Sequence, residues 1–388
     1  MKLFKTVYIS ASPRRILVAS DIHGHYGYLT GALTEAGFSE DDLLVIIGDM
    51  EEKGPDSLSV IRFLMRLCKD GRAIVLTGNV DYRFLWQLDN ITDIDSAKTF
   101  FDYLLYMRDW LGTSLYDEMA SELGEIPQTA ESVLGLISKI KVHFKEELDF
   151  LRELPTMLVS DKYIFIHGGI YESEKEFLAI PDNEKDRYRC LKFDRFTDFV
   201  RENGLRFERN IIVGHWPVVN NDRVIRKTDP SFDRDINVIS IDGGCGTNRD
   251  GQLNLLVMPD INCDVDEIDL IRYDGFDTCI ALDEQAASET SVNICWGDNE
   301  VRILRIEETA VEIEHIRSGR VFWLPADYIW DQSKLSVGEI NEASSCTDRR
   351  LGVNAGDKLT VIRKTDHGIL AKKNGTVGWY HGKIKNDV

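Results

Sequence analysis

The 388-residue chain has no apolar run long enough to span a bilayer, and its first residues, MKLFKTVYIS, contain no signal-peptide apolar core. It also lacks a cysteine framework. Seven cysteines is an odd number, none are spaced CxxC, and they scatter from Cys68 to Cys346. That pattern argues against a disulfide frame or a thiolate metal site and reads as free thiols in a reducing compartment. Positive charge is in short supply: 46 Lys and Arg face 66 Asp and Glu, a formal net charge of −20. A surface of that sign repels phosphate backbones and anionic lipid, so nucleic acid and membranes are not expected partners and the cytoplasm is the expected compartment. Bound metal ions can still make one site positive inside such a protein.

What is present is α/β alternation. RILVAS, DLLVIIGD and AIVLTG read as strands covered on both faces, separated by the helical patterns YGYLTGALTEAG and SLSVIRFLMRLCKDG. Residues 95–155 are strand-poor and helical, an insertion over one edge of a layered fold. Strands return as KYIFIHGG, NIIVGHWP, VISIDGG and QLNLLVM, and the acidic DINCDVDEIDL that follows reads as a linker. The last hundred residues read as all-β with a weak repeat. WGDNEVRIL parallels AGDKLTVIR, and SGRVFW parallels NGTVGW, which suggests two small barrels in tandem.

Five of the apolar runs end on a hard ligand: ILVAS on Asp21 and His23, LLVIIG on Asp49, AIVLTG on Asn79, YIFI on His167 and IIVG on His215. Ligands of open α/β sheets gather at that edge. Two Asp, one Asn and three His suit Mn, Fe or Zn, and are too many for one ion that must also hold substrate. They fit two divalent ions sharing a carboxylate, an arrangement that polarises a phosphoryl group and supplies a hydroxide for in-line attack. Gly24 and Gly48 flank ligands where the backbone must turn sharply. Taken singly, each of these residues also reads as a helix cap or a turn.

The motifs DIHG (21–24), GDMEEKG (48–54), GNVD (78–81), HGG (167–169) and GHW (214–216) resemble those of the calcineurin-like metallophosphoesterases over residues 14–258. The branch resembled contains Ser/Thr protein phosphatases and asymmetrical diadenosine tetraphosphate hydrolases. The resemblance implies a four-layer α/β/β/α sandwich spanning residues 1–262. It implies that Asp21 and His23 bind one metal, that Asp49 bridges, and that Asn79, His167 and His215 bind the second. Manganese is the expected activating ion. A phosphorylated small molecule, nucleotide or phosphoprotein is the expected substrate.

The family pattern GDxVDRG reads GDMEEKG here, so Glu52 and Lys53 stand where Asp and Arg are usual. Lys cannot grip phosphate bidentately. GNHE reads GNVD: Val80 replaces the histidine that the resemblance makes the proton donor to the leaving oxygen, and Asp81 keeps a carboxylate. Without that acid, good leaving groups are favoured: phosphoanhydrides, nucleotides or aryl phosphates rather than phosphoserine. His25 is a candidate replacement acid. Lys53, Asn79 and one arginine of Arg187, Arg189 and Arg195, of which Arg189 is taken here, are candidates for binding phosphate. Asp242 is a candidate to orient a ligand from behind. Asp81 and Glu52 complete the expected catalytic set.

Residues 277–331, ending GRVFWLPADYI, and 337–388 resemble SH3-like modules. The first begins ALDEQA, without the tyrosines that bind polyproline, so packing or self-association stands beside peptide binding as its role. The alternative to an enzyme is a weakened phosphatase fold that regulates or binds through these modules.

Overall fold

The computed structural model describes residues 4–10 and 13–387, so the outer limits of the expected domains, residues 1–3 and 388, lie outside it. The chain forms two compact units. One comprises residues up to Trp216, Pro230–Thr247 and Leu253–Tyr273, and the other Pro217–Asp229, Asn248–Gln252 and Asp274 onward.

The first unit contains strands Thr6–Tyr8 (β1), Ile16–Ala19 (β2), Leu43–Ile47 (β3), Ala73–Leu76 (β4), Met157–Val159 (β5), Tyr163–Ile166 (β6), Asn210–Val213 (β7), Ser231–Asp233 (β8), Val238–Ser240 (β9), Leu253–Met258 (β10) and Asp269–Tyr273 (β11). They make a five-stranded sheet of order β11-β10-β2-β3-β4 and a six-stranded sheet of order β1-β5-β6-β7-β9-β8. Ile16, Val18, Val45 and Ile47 of the first sheet share one apolar cluster with Leu158, Phe165, Ile212 and Ile239 of the second. The alternate residues Leu17, Ala19, Leu44 and Ile46 pack instead under helices Tyr26–Glu35 (α1) and Ser57–Lys69 (α2). This is the period-two division of a strand buried on both faces, and it produces the α/β/β/α layering.

Helices Asn79–Asn90 (α3), Ile94–Tyr106 (α4), Leu115–Glu122 (α5), Ala130–His143 (α6) and Lys145–Glu153 (α7) follow β4, so the expected insertion is helical throughout its regular part. Glu174–Ala179 (α8), Arg187–Leu191 (α9) and Phe196–Glu202 (α10) lie between β6 and β7.

The parallel register brings the ligand-bearing tips together. Ala19 pairs with Ile46, and Ile47 with Leu76, so the residues after β2, β3 and β4 emerge at one edge. Phe165 pairs with Ile212, which does the same for β6 and β7. The segment read as a linker is a correction. Asp269–Tyr273 forms β11, antiparallel to β10 at the sheet edge, and the unit therefore ends at Tyr273 rather than near Met258. The strand, DLIRY, shares only Asp269 and Leu270 with the segment read as a linker, and the charges of Asp269 and Arg272 are tolerated because an edge strand leaves charged side chains in water.

The second unit is antiparallel β. Glu300–Ile306 (β14), Ala310–His315 (β15) and Val321–Pro325 (β16) form one meander, and Lys358–Thr365 (β19), Gly368–Lys373 (β20) and Thr376–Tyr380 (β21) another. Each has a register shift in its first pair, between Ile303 and Arg305 and between Val361 and Arg363, so the sequence repeat corresponds to a repeated bulged meander. The boundaries expected at 277–331 and 337–388 do not coincide with the sheets. Thr278–Ala281 (β12) pairs with β19 and with Ile384–Asn386 (β22), while Ile340–Glu342 (β17) pairs with β14. The remaining short strands, Asn293–Ile294 (β13) and Cys346–Thr347 (β18), pair with each other.

Within this unit Arg226 is fully buried. Its guanidinium faces both carboxylate oxygens of Asp250, with Nη2 to Oδ1 at 2.7 Å, and Nη1 donates to Oδ1 of Asn293 at 3.1 Å. No disulfide joins the cysteines, and no helix among the described residues is long and apolar enough to cross a membrane.

Candidate metal centre

Asp21, His23, Asp49 and His215 all have left-handed backbones, with φ of 53°, 47°, 51° and 65°. Such values are uncommon outside glycine and cluster where a tight turn must aim a side chain. Glycine makes one of these turns possible. Gly48 has φ of 82°, and a Cβ there would lie 2.5 Å from the backbone of Gly78. The β3 and β4 tips therefore approach within backbone contact, which brings Asp49 to Asn79.

Two ligand groups result, Asp21 with His23 and Asp49, and Asp49 with His167 and His215; within each, one donor atom per residue lies within 4.8 Å of the others. Asp49 belongs to both. Nε2 of His23 is 3.9 Å from Oδ1 of Asp21 and from Oδ2 of Asp49, and Nε2 of His167 is 3.3 Å from Oδ1 of Asp49. Oδ1 of Asn79 faces Nε2 of His167 at 2.9 Å, so the structure brings all six expected ligands to one edge.

Hydrogen bonds from behind fix their orientation. Nδ1 of His167 meets the carbonyl of Ile47 at 2.7 Å, and Nδ1 of His23 that of Glu51 at 3.2 Å, which leaves each Nε2 facing its neighbours. The His215 N–H donates to Oδ2 of Asp21 at 3.0 Å, and the Ser20 hydroxyl donates to the same oxygen. Nε2 of His215 meets Asp194 at 2.9 Å. Neither Ser20 nor Asp194 was singled out by the sequence. Ser20 directly precedes a ligand, but Asp194 carries no local signal.

The donor set fits cations. Burial alone would lower His167, but Asp49 and Asp21 beside it push it up to about 10, so the pocket strongly favours positive charge. Asp242 is buried, and its Oδ2 has no hydrogen-bond partner among the described residues, while Oδ1 accepts from the Gly244 N–H at 2.7 Å. Burial, then the charge of Asp21, holds the Asp242 carboxyl well above the usual range. A buried carboxylate oxygen without a donor, beside two ligand triads, is chemistry that a divalent ion satisfies.

The departures from the family pattern have definite places. Lys53 puts Nζ 3.0 Å from Nε2 of His23. Glu52 is buried and turned toward the insertion: Tyr103 of α4 donates to Oε2 at 3.2 Å, and Arg83 donates to that tyrosine at 2.9 Å. Burial pushes Glu52 up to about 7 against the pull of Arg83. Asp81 accepts from three backbone N–H groups, those of Asp49 and Met50 at 3.0 Å and of Gly78 at 2.6 Å. It thus caps α3 and clamps the bridging ligand's backbone. Val80 is buried. Its N–H donates to Oδ1 of Asp49 at 2.9 Å.

The ring of His25 packs on Tyr28, with centroids 4.9 Å apart, and lies close to Gly54 and Gly246. Arg189 lies over Tyr171 at 4.7 Å and near Phe193 and Phe199. Arg195 lies over Trp216 at 5.7 Å, and Arg187 over Tyr82 at 5.3 Å.

Hard ligands at the strand tips of a two-sheet sandwich place the chain in the class of metal-dependent phosphoesterases. A family model for calcineurin-like phosphoesterase matches residues 14–239, more than half of the chain, and the chain belongs to that family. Similar curated proteins include a symmetrical bis(5'-nucleosyl)-tetraphosphatase of Aliivibrio fischeri (strain ATCC 700601 / ES114), 24% identical over 58% of this chain and 89% of that one. Another, from Buchnera aphidicola subsp. Schizaphis graminum, is 35% identical over 24% of this chain, and the match spans only about a third (34%) of that relative. These relatives are symmetrical enzymes, not the asymmetrical ones named from the motifs. Among solved structures, the cold-active protein-tyrosine phosphatase of a psychrophilic Shewanella aligns with a TM-score of 0.39 and 15% identity over 70% of this chain and 82% of that one.

Proposed function

We propose that the chain is a two-metal phosphohydrolase acting on phosphoanhydrides of nucleotides, dinucleoside polyphosphates foremost, in preference to alkyl phosphomonoesters. The observation that carries this is the pair of ligand triads sharing Asp49, with an apolar side chain at position 80 between Asn79 and Asp81.

Asp21, His23 and Asp49 would hold one divalent ion, and Asp49, Asn79, His167 and His215 the second. Such ions, when bound, polarise a phosphoryl oxygen and activate water near neutral pH. The chain's own residues do the rest. Asp81, through the backbone of residues 49 and 50, keeps the shared carboxylate aimed. Lys53 supplies a cation at the centre's edge for a phosphoryl oxygen. Val80 offers no proton to a leaving oxygen, and positioned acids are worth ~10²–10⁴-fold, so the substrate must carry a leaving group stable without one. A nucleoside phosphate leaving from an anhydride meets that demand, and a serine alkoxide does not.

The test is turnover with Mn²⁺ of diadenosine tetraphosphate, p-nitrophenyl phosphate and a phosphoserine peptide, with Asp49→Asn as control. The expected order places the anhydride and the aryl ester far above the peptide, and the control abolishes all three. A phosphoserine peptide cleaved as fast as the others overturns the leaving-group argument.

A further inference from the structure

Beside the metal centre is a cavity of about 360 Å³ lined by Thr77, Tyr82, Leu85, Leu151, Arg152 and Arg187, with Asp89 at its margin. None of the six ligands lines it, but its lining residues adjoin two of them along the chain. Thr77 ends two residues before Asn79, and Tyr82 stands one helical turn beyond it on α3. Arg187 is on α9, where the carbonyl of Cys190 accepts the N–H groups of Gly168 and Gly169, directly after His167. The two walls of the cavity thus grow from the backbones that carry two of the second-ion ligands.

The lining is mixed in a specific way. Leu85 and Leu151 are buried and apolar. Tyr82 lies with its ring 5.3 Å from the Arg187 guanidinium and 6.1 Å from the half-exposed ring of Tyr188. Arg152 is committed to Asp89 at 2.9 Å, which leaves polar edges of both signs at one end. An aromatic face, a guanidinium plane and apolar walls accept a flat heteroaromatic ring by stacking, and the polar edges can bond to its rim. The volume falls at the lower end of the range for small-molecule sites, enough for one base and its ribose.

We propose that this cavity seats one nucleobase of the substrate, with Tyr82 and Arg187 as specificity-determining residues. The proposal rests on the nucleotide-anhydride reading given above. It explains how a centre without a leaving-group acid gains selectivity, since binding at a remote base positions the anhydride over the metals.

The experiment compares diadenosine tetraphosphate with inorganic tripolyphosphate, the same anhydride chemistry without a base, for wild type, Tyr82→Leu and Arg187→Gln with Mn²⁺. The expected result is a ratio of kcat/KM, dinucleotide over tripolyphosphate, that falls about tenfold in each variant, mostly through KM. Equal losses on both substrates, or no change on either, overturn the subsite. If wild type cleaves tripolyphosphate but not the dinucleotide, the substrate reading has failed. Calorimetric titration with adenosine 5'-monophosphate then decides the subsite: binding to wild type that Tyr82→Leu weakens about tenfold supports it, and no binding to wild type overturns it.

Discussion

The backbone N–H of Val80 donates to Oδ1 of Asp49 at 2.9 Å. Position 80 therefore serves the metal centre through its main chain, whatever side chain it carries. A valine there keeps that contact and offers no proton of its own; on the function proposed above, metal binding and leaving-group chemistry are then separable at this one residue.

Val80→His tests that separation. The variant should bind Mn²⁺ as wild type does. It should raise kcat on a phosphoserine peptide by about 10²-fold, with little gain on p-nitrophenyl phosphate, whose leaving group needs no proton. Steady-state kinetics on the two substrates measure the difference directly.

Asp81→Asn should cost stability and metal affinity together. The amide keeps one acceptor but turns an NH₂ toward backbone donors that now meet an oxygen. A loss of about 2–3 kcal/mol is expected, read as a lower Tm in the presence of a chelator. Weaker Mn²⁺ binding by calorimetry should accompany it, because Asp49 loses its support.

Lys53→Met removes a cation 3.0 Å from Nε2 of His23. Repulsion between an ammonium and a divalent ion then disappears, so Mn²⁺ should bind more tightly while KM for the phosphorylated substrate rises. Opposite movements of the Mn²⁺ dissociation constant and KM are the signature; a parallel rise in both indicates a purely structural lysine.

Asp42 supplies a pH test away from the metals. Arg15 bonds to it through Nε at 2.9 Å and Nη2 at 2.7 Å and holds its carboxyl below the usual range, with burial opposing and the Ser39 N–H assisting. A depressed folded-state pKa contributes stability above the unfolded value, near 3.9, and that contribution is lost as pH falls through the folded value. Because Arg15 is about a third exposed, solvent screens the pair to about 1 kcal/mol. Asp42→Asn should therefore lower Tm at pH 6, and the gap should close as pH drops below about 4.

The strand-tip ligands were legible because each follows a short apolar run, and runs of that kind become parallel strands whose tips share an edge. The role of Asp81 was not: a carboxylate two residues after a ligand gives no sign that it will accept from N–H groups some thirty residues away. Gly24 and Gly48 signalled sharp turns beside the ligands, but not that Asp21, His23, Asp49 and His215 themselves take left-handed backbones. The linker reading of residues 260–270 missed that Ile261 and Cys263 between the acidic residues are buried in the inter-sheet cluster, and that the segment's last two residues open the edge strand Asp269–Tyr273. In the last hundred residues the repeat was legible as periodicity, but the exchange of β12 and β17 between sheets is a choice of pairing partner, which sequence spacing does not encode.

The second unit draws on three stretches of chain, and this imposes a schedule on biosynthesis. Arg226 leaves the ribosome long before Val377, whose N–H donates to the Arg226 carbonyl at 3.0 Å. At ordinary rates of synthesis the interval is roughly 10–30 s. Asp250 and Asn293, which meet the Arg226 guanidinium, emerge within that interval, but the Arg226 carbonyl stays without the Val377 N–H to its end. A nascent chain stalled before residue 377 would carry all six metal ligands and the Asp250 and Asn293 partners of Arg226, yet lack the strand that closes on the Arg226 carbonyl, so the ligand set is complete in the chain before the second unit can be.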